Sequence, residues 1–218
     1  VKVGDGTGAM FEYYQVGYPT NAFWVFQQVY DKNGNPIEGC VVDRDGDGSI
    51  TDNDRYFYKK PSPDVTMGLS SRLEYKNWDL GVSFRASFGN YVFNGVEADN
   101  CNMSYGTVWS NSLNCLTNRL KSVVDRNWQS GENTAKLSDY YIQNASFLKC
   151  DNITLGYSFA NLFKAGYWHG LSGRIYGTVS NVFTITKYKG IDPEINNGFD
   201  NNSYPRPISF IVGLNLNF

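Results

Sequence analysis

Five oxygen-bearing residues at fixed spacing carry the sharpest local chemistry in this sequence. Asp43, Asp45, Asp47, Ser49 and Asp54 occupy positions 1, 3, 5, 7 and 12 of a loop with the EF-hand pattern. Gly48 stands at position 6, where such a loop turns sharply, and Ile50 at position 8 is placed to anchor it to a core. Hard carboxylate oxygens at alternate positions can wrap one Ca2+, with Ser49 offering its backbone carbonyl. Asp replaces the usual Glu at position 12, which shortens the reach for bidentate binding. The expected role of the ion is structural, stiffening the loop. The plain alternative is an acidic turn solvated by water.

No other set of residues has comparable order, and the chain reads as a non-enzyme. His169 is the sole histidine, and no Ser/His/Asp or Cys/His arrangement can be built around it. Asp192 and Glu194 flank Pro193, where shaping a loop suits them better than acid–base work. The four cysteines, Cys40, Cys101, Cys115 and Cys150, fit no CxxC or zinc spacing. Cys101 and Cys115 share one long segment, and whether they are bridged stays open. A net charge of −2 offers no cationic surface for nucleic acid.

The elements that must position the acidic loop are strands. The 218 residues are rich in Tyr, Phe, Gly and Asn and poor in Ala and Glu, a balance that favours strands and turns. Mean hydropathy is negative and no apolar run approaches the ~20 residues of a membrane helix. A membrane strand, however, needs only about 10 residues with every second one apolar. Five segments have that alternation: 65–75, 78–88, the second half of 148–159, 171–183 and 208–218. In 78–88, Trp78, Leu80, Val82, Phe84, Ala86 and Phe88 oppose Asp79, Gly81, Ser83, Arg85 and Ser87. A soluble β-sandwich also alternates, but its strands are shorter and its outer face carries no wet lumen.

The connections alternate in length. Lys76-Asn77 is a minimal turn, 89–147 is very long, 160–170 is shorter, and 184–206 is long again. Bacterial barrels have short periplasmic turns and long external loops. A periplasmic C-terminus makes 31–64, 89–147 and 184–206 external and 207–218 the closing strand. Tyr75, Trp78, Tyr157, Phe159 and Phe218 then form the aromatic girdle of the periplasmic end. Residues 119–128 read as a short amphipathic helix inside the long loop, and Phe23–Val29 as one strand before a turn at Asn33-Gly34. Among external aromatics, Tyr105, Trp109, Tyr188, Phe199 and Tyr204 have the chemistry to stack on sugars, although packing between loops suits most of them better. The chain opens on Val1 with no signal-peptide pattern and reads as a piece of a longer polypeptide.

Several ordered motifs resemble the SusC/RagA family of TonB-dependent nutrient importers. NVFTITKYKGIDPEI at 181–195 and the ending NNSYPRPISFIVGLNLNF resemble the family's closing region. NASFLKCDNITLGYSF at 144–159 resembles its G-S-F-L-R-L-K-N-I-T-L-G-Y strand, with Ala145 and Cys150 in place of the commoner Gly and Leu. DRDGDGSITDNDR followed by PSPDVTMGLS resembles its D-x-N-G-D-G-x-I loop and P-D-x-x-x-G strand entry. The resemblance implies an all-β fold: the C-terminal strands of a large antiparallel transmembrane barrel of about 22 strands, with long extracellular loops. It implies residence in the outer membrane of a Gram-negative bacterium, contact with its lipid, and energised import through TonB. A plug domain and TonB-box, which the family carries upstream, are not in this sequence. The implied partners are a SusD-like surface lipoprotein and a large nutrient, an oligosaccharide before a peptide. A passive porin and a secreted calcium-binding module are the competing readings.

Overall fold

The computed structural model describes residues 2–4, 10–99, 121–126, 128, 137–160, 170–201 and 204–217. Cys101, Tyr105, Trp109, Cys115, His169 and Phe218 lie outside the described residues, as do Arg119, Leu120 and Asn127 of the expected 119–128 helix. The strands in chain order are β1 (Lys2–Gly4), β2 (Met10–Tyr13), β3 (Ala22–Val25), β4 (Gln28–Tyr30), β5 (Pro36–Val41) and β6 (Tyr56–Phe57). There follow β7 (Val65–Tyr75), β8 (Trp78–Phe88), β9 (Tyr91–Asn94), helices α1 (Gly95–Asp99) and α2 (Lys121–Arg126), and β10 (Ile142–Asn144). The last elements are β11 (Phe147–Phe159), β12 (Ser172–Thr186), β13 (Phe199–Asp200) and β14 (Ser209–Asn217). Among the described residues no helix is long and apolar enough to cross a membrane.

The five alternating segments pair as one antiparallel sheet in the order β14-β12-β11-β8-β7. The register puts the expected apolar residues on a common face. Leu73 pairs with Leu80, Leu80 with Leu155, Tyr157 with Ile175, and Ile175 with Leu214. Arg72, Glu74, Asp79 and Arg85 alternate with these and so occupy the other face. Eleven residues, as in β7 and β8, rise about 3.3 Å each and, tilted near 45°, cross about 25 Å, the height of an outer-membrane apolar band. At the edges β7 and β14 the apolar residues stand bare: Leu69 is 63% exposed and Val212 80%.

One irregularity explains why alternation is clear only in the second half of 148–159. Asn152 pairs with Ser83 but Cys150 with Phe84, so Asp151 is a bulge residue relative to β8. The bulge reverses the parity of the apolar face: upstream of it Cys150 and Leu148 take the places that odd-numbered residues take downstream. On the other side Cys150 pairs with Phe183 and Asn152 with Ser180, and Asn181 has φ +53°, a value Asn tolerates. The sheet therefore keeps its apolar face through Ile185, and β12 runs to Thr186 rather than ending at Phe183.

The chain divides into two compact units, and the sheet, with residues 64–88, 146–187 and 205–218, is one of them. The other gathers 1–63, 89–145 and 188–204. These segments are more than loops. They hold a four-stranded sheet β1-β2-β3-β6, a three-stranded sheet β10-β9-β13 and the β4-β5 hairpin. Phe11, Phe23, Val25, Phe26, Phe93, Tyr141 and Ile142 form a buried core, against which Phe199 packs. The single strand expected over Phe23–Val29 is broken: β3 ends at Val25, and Phe26 bridges to Ser138 instead. The turn at Asn33-Gly34 is present, with Gly34 at φ +81° and the Asp31 carboxylate accepting the N–H groups of Asn33 and Asn35, both at 2.8 Å.

Candidate functional site

The acidic loop is organised by its own side chains. Asp43 accepts the N–H of Gly46 at 2.7 Å and of Gly48 at 2.8 Å, and both glycines have positive φ. Asp45 accepts Asp47 N–H at 3.2 Å and Asp47 accepts Ser49 N–H at 2.7 Å. These bonds fix the three carboxylates against the backbone of the turn. Oxygens of Asp43, Asp45 and Asp47 lie within 4.8 Å of one another. Three hard donors at that separation fit a divalent cation such as Ca2+.

Asp54 stands outside that convergent group. Asp54 is fully buried and accepts three backbone donors: Arg44 at 2.7 Å, Asp45 at 3.3 Å and Thr51 at 2.8 Å. The last belongs to a capping box that starts the short 3-10 turn Asp52–Asp54. The Thr51 N–H above all, with those of Arg44 and Asp45, holds the Asp54 carboxyl below the ordinary carboxylate range, against the opposing effect of burial. Position 12 thus closes the loop on itself.

The anchor also differs from the expected one. Ile50 is 40% exposed. The loop is instead fastened by the arginines near its ends. Arg44 lies 4.7 Å above the Tyr56 ring and bonds Gln27, while Arg55 lies 4.8 Å from both the Trp24 and Phe26 rings.

The polar face of the five-stranded sheet is the second candidate surface. Six of its charges form three pairs, Arg72–Glu74 at 2.9 Å, Arg85–Asp151 at 2.5 Å and Arg174–Asp79 at 2.6 Å, and Lys149 is a further cation opposite Arg85. The rest is mostly hydroxyl, amide and glycine, with Ser70 bonded to Ser83 and Thr154 to Thr178. Arg174 and Asp79 come from β12 and β8, and meet in a bidentate pair across the intervening strand β11. Gly156 makes that possible, since a Cβ there would lie 2.4 Å from both Arg174 Nη2 and Asp79 Oδ1. Gly156→Ala is therefore expected to splay the pair and destabilise the sheet by about 1–3 kcal/mol. The measurement is the denaturant midpoint of the heat-modifiable fold, and an unchanged midpoint would show that the pair closes as well around a methyl group.

The Tyr188–Asp192 segment is decoded as packing. Tyr188 is buried and donates to Asp200 at 2.8 Å, and Ile191 N–H donates to the same carboxylate oxygen at 2.9 Å. Burial, then the bond to Asp200, pushes the Tyr188 hydroxyl far above its usual range. Gly190 is needed beneath that ring, because a Cβ would lie 2.2 Å from the Tyr188 oxygen. Asp192 accepts Glu194 N–H at 2.9 Å and Asn90 reaches the Pro193 carbonyl, so the acid pair shapes its loop. Phe199 packs on Phe11 at 4.8 Å, whereas Tyr204 is 85% exposed.

Similarity to known proteins agrees with this architecture. No family model matches the chain. The TonB-dependent receptor SusC of Bacteroides thetaiotaomicron is 48% identical over 217 residues, covering 100% of this chain and 21% of the receptor. A TonB-dependent receptor of Formosa agariphila is 28% identical over 239 residues, again 100% of this chain and 23% of the receptor. The chain thus spans about a fifth of the length of the curated relatives it matches. In fold it is similar to the RagAB peptide importer in its open-open state, with a TM-score of 0.68, 22% identity, and coverage of 99% of this chain and 24% of that one. The closed-closed state gives a TM-score of 0.66 over 94% of this chain and 24% of that chain. The paired two-faced strands and the match to SusC along the whole chain lead to one conclusion: this chain belongs to the SusC/RagA family of TonB-dependent receptors.

Proposed function

We propose that this chain builds part of the wall of an outer-membrane importer, energised through TonB and working with a SusD-like surface lipoprotein. The observation that carries the reading is the division of one sheet into an apolar outer face and a polar face most of whose charges form ion pairs. Exposed Leu69, Phe210 and Val212 suit lipid tails. A secreted calcium-binding module would have no use for such a surface in water. The C-terminus faces the periplasm in this reading, which puts the two-residue turn at Lys76-Asn77 on the short-turn side.

The substrate class we favour is a neutral oligosaccharide. A wall of hydroxyls and amides with mostly self-paired charges exchanges hydrogen bonds with a hydroxylated solute more readily than it holds free carboxylates or amines. A peptide is the second reading, supported by the likeness in fold to the RagAB peptide importer. Uptake by cells carrying the full-length receptor decides between them: labelled neutral oligosaccharides should enter and outcompete peptides of similar mass. Dissipating the proton-motive force should abolish entry, and persistence of entry would favour a passive pore. In the loop at 43–54, Asp43, Asp45 and Asp47 would hold Ca2+ with the Ser49 carbonyl, supported by the convergence of their oxygens. The ion would stiffen the loop and take no part in transport chemistry.

A further inference from the structure

Glycine on the apolar face of a membrane sheet is an unprofitable choice, since it adds almost no apolar surface and weakens the strand. Strand β12 has two on that face, Gly173 and Gly177, paired with Phe159 and Leu155 of β11. The space at Gly173 is taken: a Cβ would lie 2.8 Å from the Phe159 ring and 2.3 Å from the Asn215 carbonyl oxygen. The polar-face glycines of β11 and β14 are covered too, Gly156 by the Asp79–Arg174 pair and Gly213 by the Tyr176 ring. Gly177 is bare. Nothing lies within 4 Å of where its Cβ would be, and its φ is not positive. Neither backbone conformation nor packing asks for glycine there. What the missing side chain leaves is a groove of about 350 Å3, lined by Trp78, Leu155, Tyr157, Ile175 and Val212.

We propose that the Gly177 groove seats one acyl chain of a phospholipid from the leaflet nearest the Lys76-Asn77 turn. The named lining side chains present hydrocarbon and aromatic surface, which suits a chain and not a headgroup. The Trp78 and Tyr157 rings pack at 4.8 Å near the strand end. Aromatic rings there sit at headgroup depth, so a lipid held at that belt has its chain descending past them. The groove is continuous with the outward apolar residues on both sides, Leu155 on β11 and Val212 on β14, each paired with Gly177. Seating a chain restores the apolar contacts that a Leu at this position would have supplied. The inference rests on the membrane-spanning reading of the sheet.

The test uses the full-length receptor in nanodiscs of phosphatidylethanolamine carrying a diazirine near the end of one acyl chain. After irradiation, adducts at Leu155, Ile175 and Val212 should exceed those at Leu69 and Phe210 several-fold. Leu69 and Phe210 serve as controls because they share the apolar face and lie away from the groove. In Gly177→Leu the groove adducts should fall to the level at Leu69 while the heat-modifiable fold persists. Gly177→Ala adds one methyl group into open space and gives a smaller fall in the same direction, and it serves if the Leu variant does not fold. Groove adducts no more frequent than those at Leu69 and Phe210, or unchanged when the groove is filled, overturn the proposal. Absence of adducts at Leu69 and Phe210 as well would overturn the membrane reading itself.

Discussion

Asp54→Ala is expected to unravel the 43–54 loop, with a larger effect than removing any of the three convergent carboxylates. The substitution strips the acceptor from three backbone N–H groups at once, those of Arg44, Asp45 and Thr51. The Thr51 bond is the reciprocal half of the capping box that starts the 3-10 turn. Three donors lose at once the acceptor that closes the turn, so amide exchange at these positions should rise roughly ten- to a hundredfold. Asp45→Ala, by contrast, removes one of the proposed Ca2+ donors and one bond to Asp47, and should weaken Ca2+ binding with the loop still closed. Calorimetric Ca2+ titration beside hydrogen exchange separates the two. Equal exchange in the wild type and Asp54→Ala would remove Asp54 from its closing role. The acid limb follows from the same bonds. A carboxylate whose folded pKa is depressed stabilises above its unfolded value, near 3.8, and that stabilisation is lost as the pH falls through the lower folded value. The wild-type loop should therefore open in strong acid, and Asp54→Asn should lack that transition.

Glu12→Gln is expected to stabilise the β1-β2-β3-β6 sheet at pH 8 and leave it unchanged at pH 4. Glu12 is 1% exposed, its Oε1 has no hydrogen-bond partner, and Gly198 and Pro61 pack beside it. Burial raises its carboxyl from 4.5 to about 7. The sign follows from linkage. A raised folded pKa means that the folded state binds more protons than the unfolded one between these values. Its stability is full below pH 4.5, declines as pH rises toward 7, and is constant beyond. The loss over that window is about 3 kcal/mol. Glutamine stays neutral throughout, so its curve should be flat where the wild type falls. The readout is exchange of β2 and β3 amides from pH 4 to 8. A wild-type profile as flat as that of Glu12→Gln would mean that Glu12 ionises without cost.

Much of the sheet was legible because its signal is local. Period-two alternation in 65–75 and 78–88 needs only neighbouring residues, and the register pairs Val65 to Tyr75 with Phe88 to Trp78 without a slip. The acidic loop was legible for the same reason: its donors lie within twelve consecutive positions. Where a bulge at Asp151 reversed the parity, the alternation was readable on one side only. In the unit built from 1–63, 89–145 and 188–204, the stretches 31–64, 89–147 and 184–206 read as loops and only Phe23–Val29 as a strand. Its core stacks Phe11 on Phe93 at 5.1 Å and Phe199 on Phe93 at 5.9 Å, rings drawn from three distant stretches of chain. No spacing within one stretch announces such partners.

The sequence by itself determined the five long strands of one sheet, which face most of their side chains take, and where hard oxygen donors recur. These follow from the two-residue repeat of an extended backbone and the short reach of a turn. Tertiary structure alone decided that Asp54 turns to three backbone N–H groups while Asp43, Asp45 and Asp47 converge. It decided that Asp79 meets Arg174 across Gly156, and that Gly177 is left bare while Gly173 lies under a phenylalanine ring. Each of these depends on which strand lies beside which and at what register. That choice is set by burial and pairing over the whole sheet, and no local repeat encodes it.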